Sequence, residues 1–394
     1  MAFDFMASAL QQKAQAGYLR ERQCVEYEKD GVISVGGQHY LNFASNDYLA
    51  MRQHQGVLQT WVEGLAQFGG GSGASPLVTG YTQAHRALEE YLAEKLNREA
   101  VLLFNSGFAA NQALCQALFA ASSGSNSLIL ADKFMHASFI DGAMGSAATL
   151  KRFKHNDIPH LKTLIADSYH QDCLVASEGI FSMDGDSAPV SDLVALCEQH
   201  SAWLMLDDAH GFGVLGKNGM GTCEQYDLSV DQVPVLMATF GKAVGTAGAF
   251  IAGSRELVEY LVNFARHYIF STAMPAAQAL ATLYSLTEIE KPERRLALQK
   301  NIAIFRDLAT DAGLSLTEST SAIQPVILGC PKDALAVSEG LRQRGIWVPA
   351  IRHPTVPKNS DRLRITLNSE HSQNDIQALV DALQLTMRDA IPCN

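Results

Sequence analysis

Trp203-Leu204-Met205-Leu206-Asp207-Asp208-Ala209-His210-Gly211 is the stretch on which the reading of this chain turns. Four apolar residues without polar alternation read as a strand buried on both faces, the pattern of a parallel sheet covered by helices. Two acids and a histidine follow at once. They fall at the carboxyl end of that strand, where open α/β sheets place ligands. Similar short apolar runs occur at 101–104, 127–130, 173–176 and 235–238, with longer helical segments between them. That alternation predicts an α/β domain with a mainly parallel central sheet over residues 41–285. Residues 1–40, an amphipathic helix and then a strand-like stretch at 32–41, read as an N-terminal arm packing with a small domain. Residues 286–394 carry helical patterns at 291–308, 334–344 and 373–388 and strand-like runs at 322–328, 347–351 and 362–367. This second pattern predicts a smaller α+β domain.

The 394 residues include 30 Lys+Arg against 41 Asp+Glu, a formal charge of −11. Such an acid excess argues against nucleic acid or an anionic membrane as the main partner, because both reward Lys and Arg. With 47% apolar and 18% charged residues the chain has the makings of a large core and not of a disordered one. Seven scattered cysteines without a C-x-x-C pair write neither a disulfide framework nor a zinc site. Asp4 stands where a signal peptide carries basic residues, and no run approaches the roughly 18 apolar residues of a membrane span. The expectation is a cytoplasmic protein without a membrane partner.

Four segments could carry chemistry. Gly69-Gly70-Gly71-Ser72-Gly73-Ala74 formally matches the dinucleotide fingerprint, which needs a strand before it and a helix after it. Residues 61–68 read as a helix instead and Pro76 follows closely, so a tight loop is preferred over a nicotinamide site. In Phe104-Asn105-Ser106-Gly107-Phe108 an apolar strand runs straight into a helix start, a place for a phosphate or for an ordinary serine cap. Asp207 and His210 could be metal ligands, but no second cluster completes a coordination shell, and no metal is expected. In Thr239-Phe240-Gly241-Lys242 a lysine sits among small and apolar neighbours, where desolvation frees its amine for Schiff-base chemistry. A lone lysine is usually just a solvated charge. The ordered series Ser-Gly turn, His136, Ser182, Asp-x-x-His and Thr-x-x-Lys, each near the end of a successive strand, is the layout of a pyridoxal phosphate (PLP) site.

At this point the chain closely resembles the α-oxoamine synthases, fold-type-I PLP-dependent transferases. The resemblance is carried by Leu-Asn-Phe-Ala-Ser-Asn-Asp-Tyr-Leu from Leu41, residues 68–80, Leu-Phe-Asn-Ser-Gly-Phe-Ala-Ala-Asn-Gln from Leu103 and His-Asn-Asp from His155. It continues through Ser-Glu-Gly-Ile-Phe-Ser-Met-Asp-Gly-Asp from Ser177, Leu-Asp-Asp-Ala-His-Gly from Leu206 and Thr-Phe-Gly-Lys from Thr239. Ala-Ile-Arg-His-Pro-Thr-Val-Pro from Ala350, Ser-Ala-Ile-Gln-Pro from Ser321 and Phe240 favour the branch that serves biotin synthesis. Two departures are His353, where that branch usually shows Pro, and Pro76 in the glycine loop.

The resemblance implies a decarboxylative condensation of L-alanine with a pimeloyl thioester, carried by coenzyme A or an acyl carrier protein. Lys242 would hold PLP and shuttle the substrate α-proton, Asp207 would pair with the ring nitrogen, and His136 would stack on the ring face and meet substrate. Ser182 and His210 would contact the ring-oxygen region, while Gly107, Phe108 and Thr239 would define the cofactor cleft. Arg364 would fork the amino-acid carboxylate with Asn46 as a second contact, and Arg20 and Thr355 would touch the acyl substrate. Family members are homodimers with active sites at the interface, so Ser271 and Thr272 would reach the partner's phosphate. A sister synthase joining glycine to acetyl-CoA is the nearest alternative. Because the thioester carriers are anionic, the densest basic cluster, Lys151, Arg152 and Lys154, is either a docking patch at the thioester entrance or, the simpler reading, an ordinary solvated face.

Overall fold

The computed structural model describes residues 3–120, 126–167 and 172–390. Its strands are β1 Tyr27–Lys29, β2 Val32–Val35, β3 Gln38–Asn42, β4 Ala100–Phe104, β5 Ser127–Asp132, β6 Thr149–Phe153 and β7 Asp172–Glu178. They continue with β8 Trp203–Asp207, β9 Val235–Thr239, β10 Ala249–Gly253, β11 Ile323–Ile327, β12 Ile346–Trp347, β13 Ala350–Ile351 and β14 Arg362–Thr366. Two compact units emerge, one of residues 47–182 and 187–295, the other of 1–46, 183–186 and 296–394. Cys393 lies outside the described residues.

The larger unit holds a seven-stranded sheet in the order β4-β10-β9-β8-β7-β5-β6. Five strands anticipated from apolar runs (β4, β5, β7, β8, β9) are all here, and two were not foreseen. β10 runs antiparallel to both β4 and β9, so those two are parallel to one another and to the rest of the sheet. β6 hid behind its charge. Its Lys151 and Arg152 suit an edge strand, where one neighbour rather than two must be met. Leu102, Ile129, Leu174, Met205, Met237 and Ile251 form the sheet side of a core that the helices Gly107–Leu118 and Ala137–Met144 close with Ala110, Leu114 and Phe139. The two helices approach so closely that a β-carbon on Gly142 would stand 2.8 Å from the carbonyl oxygen of Asn111. Glycine here is a packing requirement, and alanine would push the helices apart.

All parallel strands point the same way, so the residues that end them gather on one edge of the sheet. Glu178 ends β7, Asp207 ends β8 and Thr239 ends β9, while His136 lies just past β5 and Gly107 just past β4. The chemistry-bearing residues of the larger unit are collected by topology.

The smaller unit contains a four-stranded sheet, β1-β2-β3-β12, and a three-stranded antiparallel sheet, β11-β14-β13. The stretch at 32–41, expected as one strand, is a hairpin. Gly36 and Gly37 take φ of +60° and +73°, the left-handed pair that a two-residue hairpin turn needs. The run at 347–351, also expected as one strand, divides around Pro349: β12 pairs in parallel with β3 and β13 pairs antiparallel with β14. Proline cannot donate to a ladder, so the chain changes sheets there. The expected terminal helix is present as Gln373–Ala390, with Ile376, Leu379 and Leu383 buried. Among the described residues no helix is long and apolar enough to cross a membrane.

Candidate active site

Lys242 stands in the turn that leaves β9. Thr239 Oγ1 donates to the carbonyl of Gly248 at 2.8 Å, Gly245 N to the carbonyl of Lys242 at 2.9 Å, and Thr246 N to that of Phe240 at 3.0 Å. Phe240, Ala243 and Val244 are buried, so the backbone carrying the lysine is pinned from below. Gly245 takes φ +73° with its α-carbon so near residues 51 and 52 that a β-carbon would lie 2.4 Å from the Arg52 nitrogen. The lysine's place is therefore set by packing and not by its own side chain. Its Nζ lies 2.8 Å from His210 Nε2, and His210 Nδ1 lies 2.6 Å from the hydroxyl of buried Tyr48.

Asp207 is buried and receives two donors: Asn111 Nδ2 at 3.0 Å and the Ala209 amide at 3.1 Å. Asn111 also donates to Ser138 Oγ at 2.9 Å, which in turn lies 2.8 Å from His136 Nδ1. His136 caps the helix Ala137–Met144, its Nδ1 accepting from the Ser138 amide, and lines the cleft. Partial desolvation of this imidazole, which stays open to the cleft, holds its pKa below the ordinary value; the Asp207 carboxylate opposes the shift and the Lys242 charge adds to it. At the opposite wall Ser106 caps the helix Gly107–Leu118 by accepting from Ala109 N at 3.1 Å. The first amides of that helix stay available to an anion.

One cleft gathers Gly107, Phe108, His136, Asp207, Thr239 and Lys242, with His210 beside the lysine. Seven of the eight residues expected at the cofactor thus line one cleft. Ser182 is not among the lining residues; its amide is turned to Glu178 Oε2 at 3.3 Å. Asn111, Ser138, Glu178 and Tyr48 are the residues that sequence reading passed over. Tyr48, Asn111 and Glu178 lay inside segments already singled out and Ser138 two residues past His136, but an amide, a hydroxyl and a buried acid carry no signal of their own until their partners are known. Asp208, next to Asp207, turns the other way and accepts from Thr222 N at 2.7 Å and Thr222 Oγ1 at 2.6 Å. Burial pushes its carboxyl up to about 7, and its task is to tie down the loop that carries His210.

In the smaller unit, two expected pairs meet. Arg364 Nη1 donates to Asn46 Oδ1 at 3.0 Å and to Thr366 Oγ1 at 2.9 Å on buried β14. Arg20 Nη2 donates to Thr355 Oγ1 at 3.2 Å, and both border a groove with Leu10, Lys13, Tyr18 and Arg352. The basic cluster does not survive as one patch. Lys151 and Arg152 are neighbours on β6, so the pleat sends them to opposite faces, and Lys154 lies past the strand end. The nearby His-Asn-Asp segment is structural among its described contacts: His155 pairs with buried Asp132 at 3.0 Å and stacks on Phe134, while Asp157 caps the helix Ile158–Ala166. The glycine loop at 69–74 follows the helix Gln55–Phe68, so the dinucleotide fingerprint lacks its strand. Among the described residues no group of three or more His, Cys, Asp or Glu side chains is arranged to hold a metal.

Residues 38–383 match the family model described as aminotransferase class I and II. Over 379 residues the chain is 45% identical to the 8-amino-7-oxononanoate synthase of Cellvibrio japonicus, covering 96% of this chain and 94% of that one. The chain belongs to the aminotransferase class I and II family, and within it to the 8-amino-7-oxononanoate synthases. An 8-amino-7-oxononanoate synthase structure from Francisella tularensis aligns with TM-score 0.77 and 30% identity over 89% of this chain and 98% of that one. A substituted serine palmitoyltransferase from S. paucimobilis with a bound PLP–myriocin aldimine aligns with TM-score 0.91 and 26% identity over 98% of each chain.

The fold is the expected fold-type-I arrangement, and PLP is the cofactor of this 8-amino-7-oxononanoate synthase family member. The cleft suits that group on its own chemistry. It offers an amine for an aldehyde, a buried carboxylate for a ring nitrogen and helix amides for a phosphate. On its floor Asn111 Oδ1 and Glu178 Oε1 are buried without a hydrogen bond of ordinary geometry, as polar atoms awaiting a ligand are.

Proposed function

We propose that the chain condenses L-alanine with a pimeloyl thioester, releasing CO2 and the free thiol carrier, to form 8-amino-7-oxononanoate for biotin. The observation that carries the reading is the Lys242, His210 and Asp207 constellation on one strand-end edge, in a chain 45% identical to a synthase of that name. When bound, PLP supplies an electron sink for the α-carbon of the amino acid.

The protein's own groups then have distinct tasks. The Lys242 amine anchors the aldehyde carbon and, once displaced by the amino acid, takes and returns a proton at the α-carbon. His210 Nε2 exchanges a hydrogen bond with that amine, and Tyr48 on Nδ1 holds the ring in orientation. Asp207, held in place by Asn111 and the Ala209 amide, keeps the cofactor's ring nitrogen protonated. His136 covers the ring face, its own rotamer locked by Ser138. Gly107 and Phe108 open the helix whose amides meet the phosphate, and Thr239 closes the cleft beside Met237. Ser182 supports the ring-oxygen side through its amide on Glu178.

Arg364, steadied by Asn46 and Thr366, is the fork for the alanine carboxylate, and fixing that group selects which bond at the α-carbon aligns with the ring. Arg20 and Thr355 receive the acyl substrate. We read the enzyme as a cytoplasmic homodimer with Ser271 and Thr272 serving the partner's phosphate. That reading is supported by the exposure of Val78 (73%) and Phe270 (70%), apolar surface that an interface would cover. The test is a substrate screen on the PLP-loaded enzyme: alanine with pimeloyl-CoA or pimeloyl acyl carrier protein, against glycine with acetyl-CoA and serine with palmitoyl-CoA. Turnover with the first pair alone supports the assignment, and preference for either other pair overturns it.

A further inference from the structure

Glu178 ends β7, directly across the ladder from Asp207 at the end of β8. It is 2% exposed and lines the same cleft as Lys242 and His136. Two carboxyl groups at paired positions on adjacent strands, both out of water, disfavour carrying charge together. Their surroundings decide which one does. Asp207 accepts from the Asn111 amide and the Ala209 backbone, two donors that favour an anion. Glu178 Oε2 accepts the long 3.3 Å bond from the Ser182 amide, the His136 amide also lies against the carboxyl, and Oε1 makes no hydrogen bond of ordinary geometry although it is buried.

We propose that Glu178 is a further cofactor-contacting residue, a neutral carboxylic acid whose Oε1–H donates a hydrogen bond to an acceptor oxygen of the group held in the cleft. It rests on the cleft holding PLP, whose ring oxygen and phosphate are acceptors of that class. The groups facing it are Asp207 on β8, Lys242 and His210 beyond β9 and β8, His136 beyond β5, and Asp208 behind Gly179. Burial raises the Glu178 pKa well above the carboxylate range and the Asp207 charge raises it further; Lys242 and the amides of His136 and Ser182 pull the other way. Burial and the neighbouring carboxylate both favour the protonated acid. A neutral acid beside an ionised one gives the cleft one carboxylate and one donor, so a ring nitrogen and a ring oxygen can be served at once.

The experiment compares wild type, Glu178→Gln and Glu178→Leu as apoenzymes titrated with PLP, following the absorbance of the bound cofactor from pH 6 to 8. Glutamine keeps a neutral donor of the same shape, so PLP affinity within about threefold of wild type and an unchanged spectrum are expected. Leucine leaves the cofactor oxygen unserved and costs about tenfold or more in affinity. Glutamine as damaging as leucine, or leucine as good as wild type, overturns the proposal. Infrared difference spectra of wild-type holoenzyme against the glutamine variant provide a readout that does not depend on the leucine variant folding: a protonated-carboxyl band lost on substitution is expected, and its absence from wild type overturns the proposal. Wild type that takes up no PLP at all overturns the cofactor reading and this inference together.

Discussion

Lys242 Nζ and His210 Nε2 lie 2.8 Å apart, and His210 passes the contact on to Tyr48 at 2.6 Å. Three groups share a single line of hydrogen bonds, so its direction is common to all: when the amine is protonated Nε2 accepts and Nδ1–H donates to Tyr48, and when it is neutral the order reverses. Tyr48→Phe removes the far end. The charged amine then loses support, the acidic limb of the kcat profile moves to lower pH, and kcat falls about tenfold. An unmoved limb in stopped-flow pH profiles would remove Tyr48 from this role.

Lys242→Ala tests the centre. The visible band of the bound cofactor is lost and turnover falls by about a thousandfold or more, read by absorbance and by single-turnover assay. Retained turnover would show that another group moves the α-proton.

Arg364→Lys keeps a charge on buried β14 but cannot fork a carboxylate. The apparent KM for alanine is expected to rise about 10- to 100-fold while that for the thioester stays put. Asn46→Ala, which only loosens the guanidinium, gives a smaller rise in the same constant. Equal effects on both substrates would point to a general disturbance of the small unit.

Arg20 and Thr355 touch on an exposed surface. A double-mutant cycle with Arg20→Ala and Thr355→Ala should give a coupling in stability below about 1 kcal/mol, because exposed contacts are screened by water. Their weight should fall on the thioester KM instead. A coupling of several kcal/mol in thermal melts, with KM unchanged, would make the pair structural.

His371 sets a pH limit on the smaller unit. Burial lowers its pKa to about 4, with Nε2–H donating to the Asn42 carbonyl at 3.0 Å and Nδ1 accepting the Asn368 amide at 3.1 Å. The unfolded chain protonates this histidine near 6.5, the native one only near 4, so between those values the unfolded state binds more protons and stability falls as pH falls. The loss is expected to reach about 3 kcal/mol below pH 4. His371→Gln should flatten that part of the curve of Tm against pH, and a slope equal to wild type would assign it to other groups.

Much of this molecule is legible in one dimension. Apolar runs without alternation announce buried parallel strands, and strand ends announce where ligands gather, so Asp207, Thr239 and Lys242 could be named before any coordinates. Periodicity failed where a strand is charged, as in β6, and where two glycines or one proline redirect the chain, as at Gly36, Gly37 and Pro349, while β10 was passed over although it is as long and as apolar as β9.

Residue types at strand ends and helix starts, with the sign of the charge, were determined by sequence alone, because they depend on local pattern and composition. Partnerships were decided only by the tertiary structure. Asn111 reaches Asp207 across 96 positions and Asn46 reaches Arg364 across 318, and Glu178 faces Asp207 through ladder register. A side chain's protonation and direction follow from its neighbours in space, and those neighbours exist only after the sheet has aligned its strands.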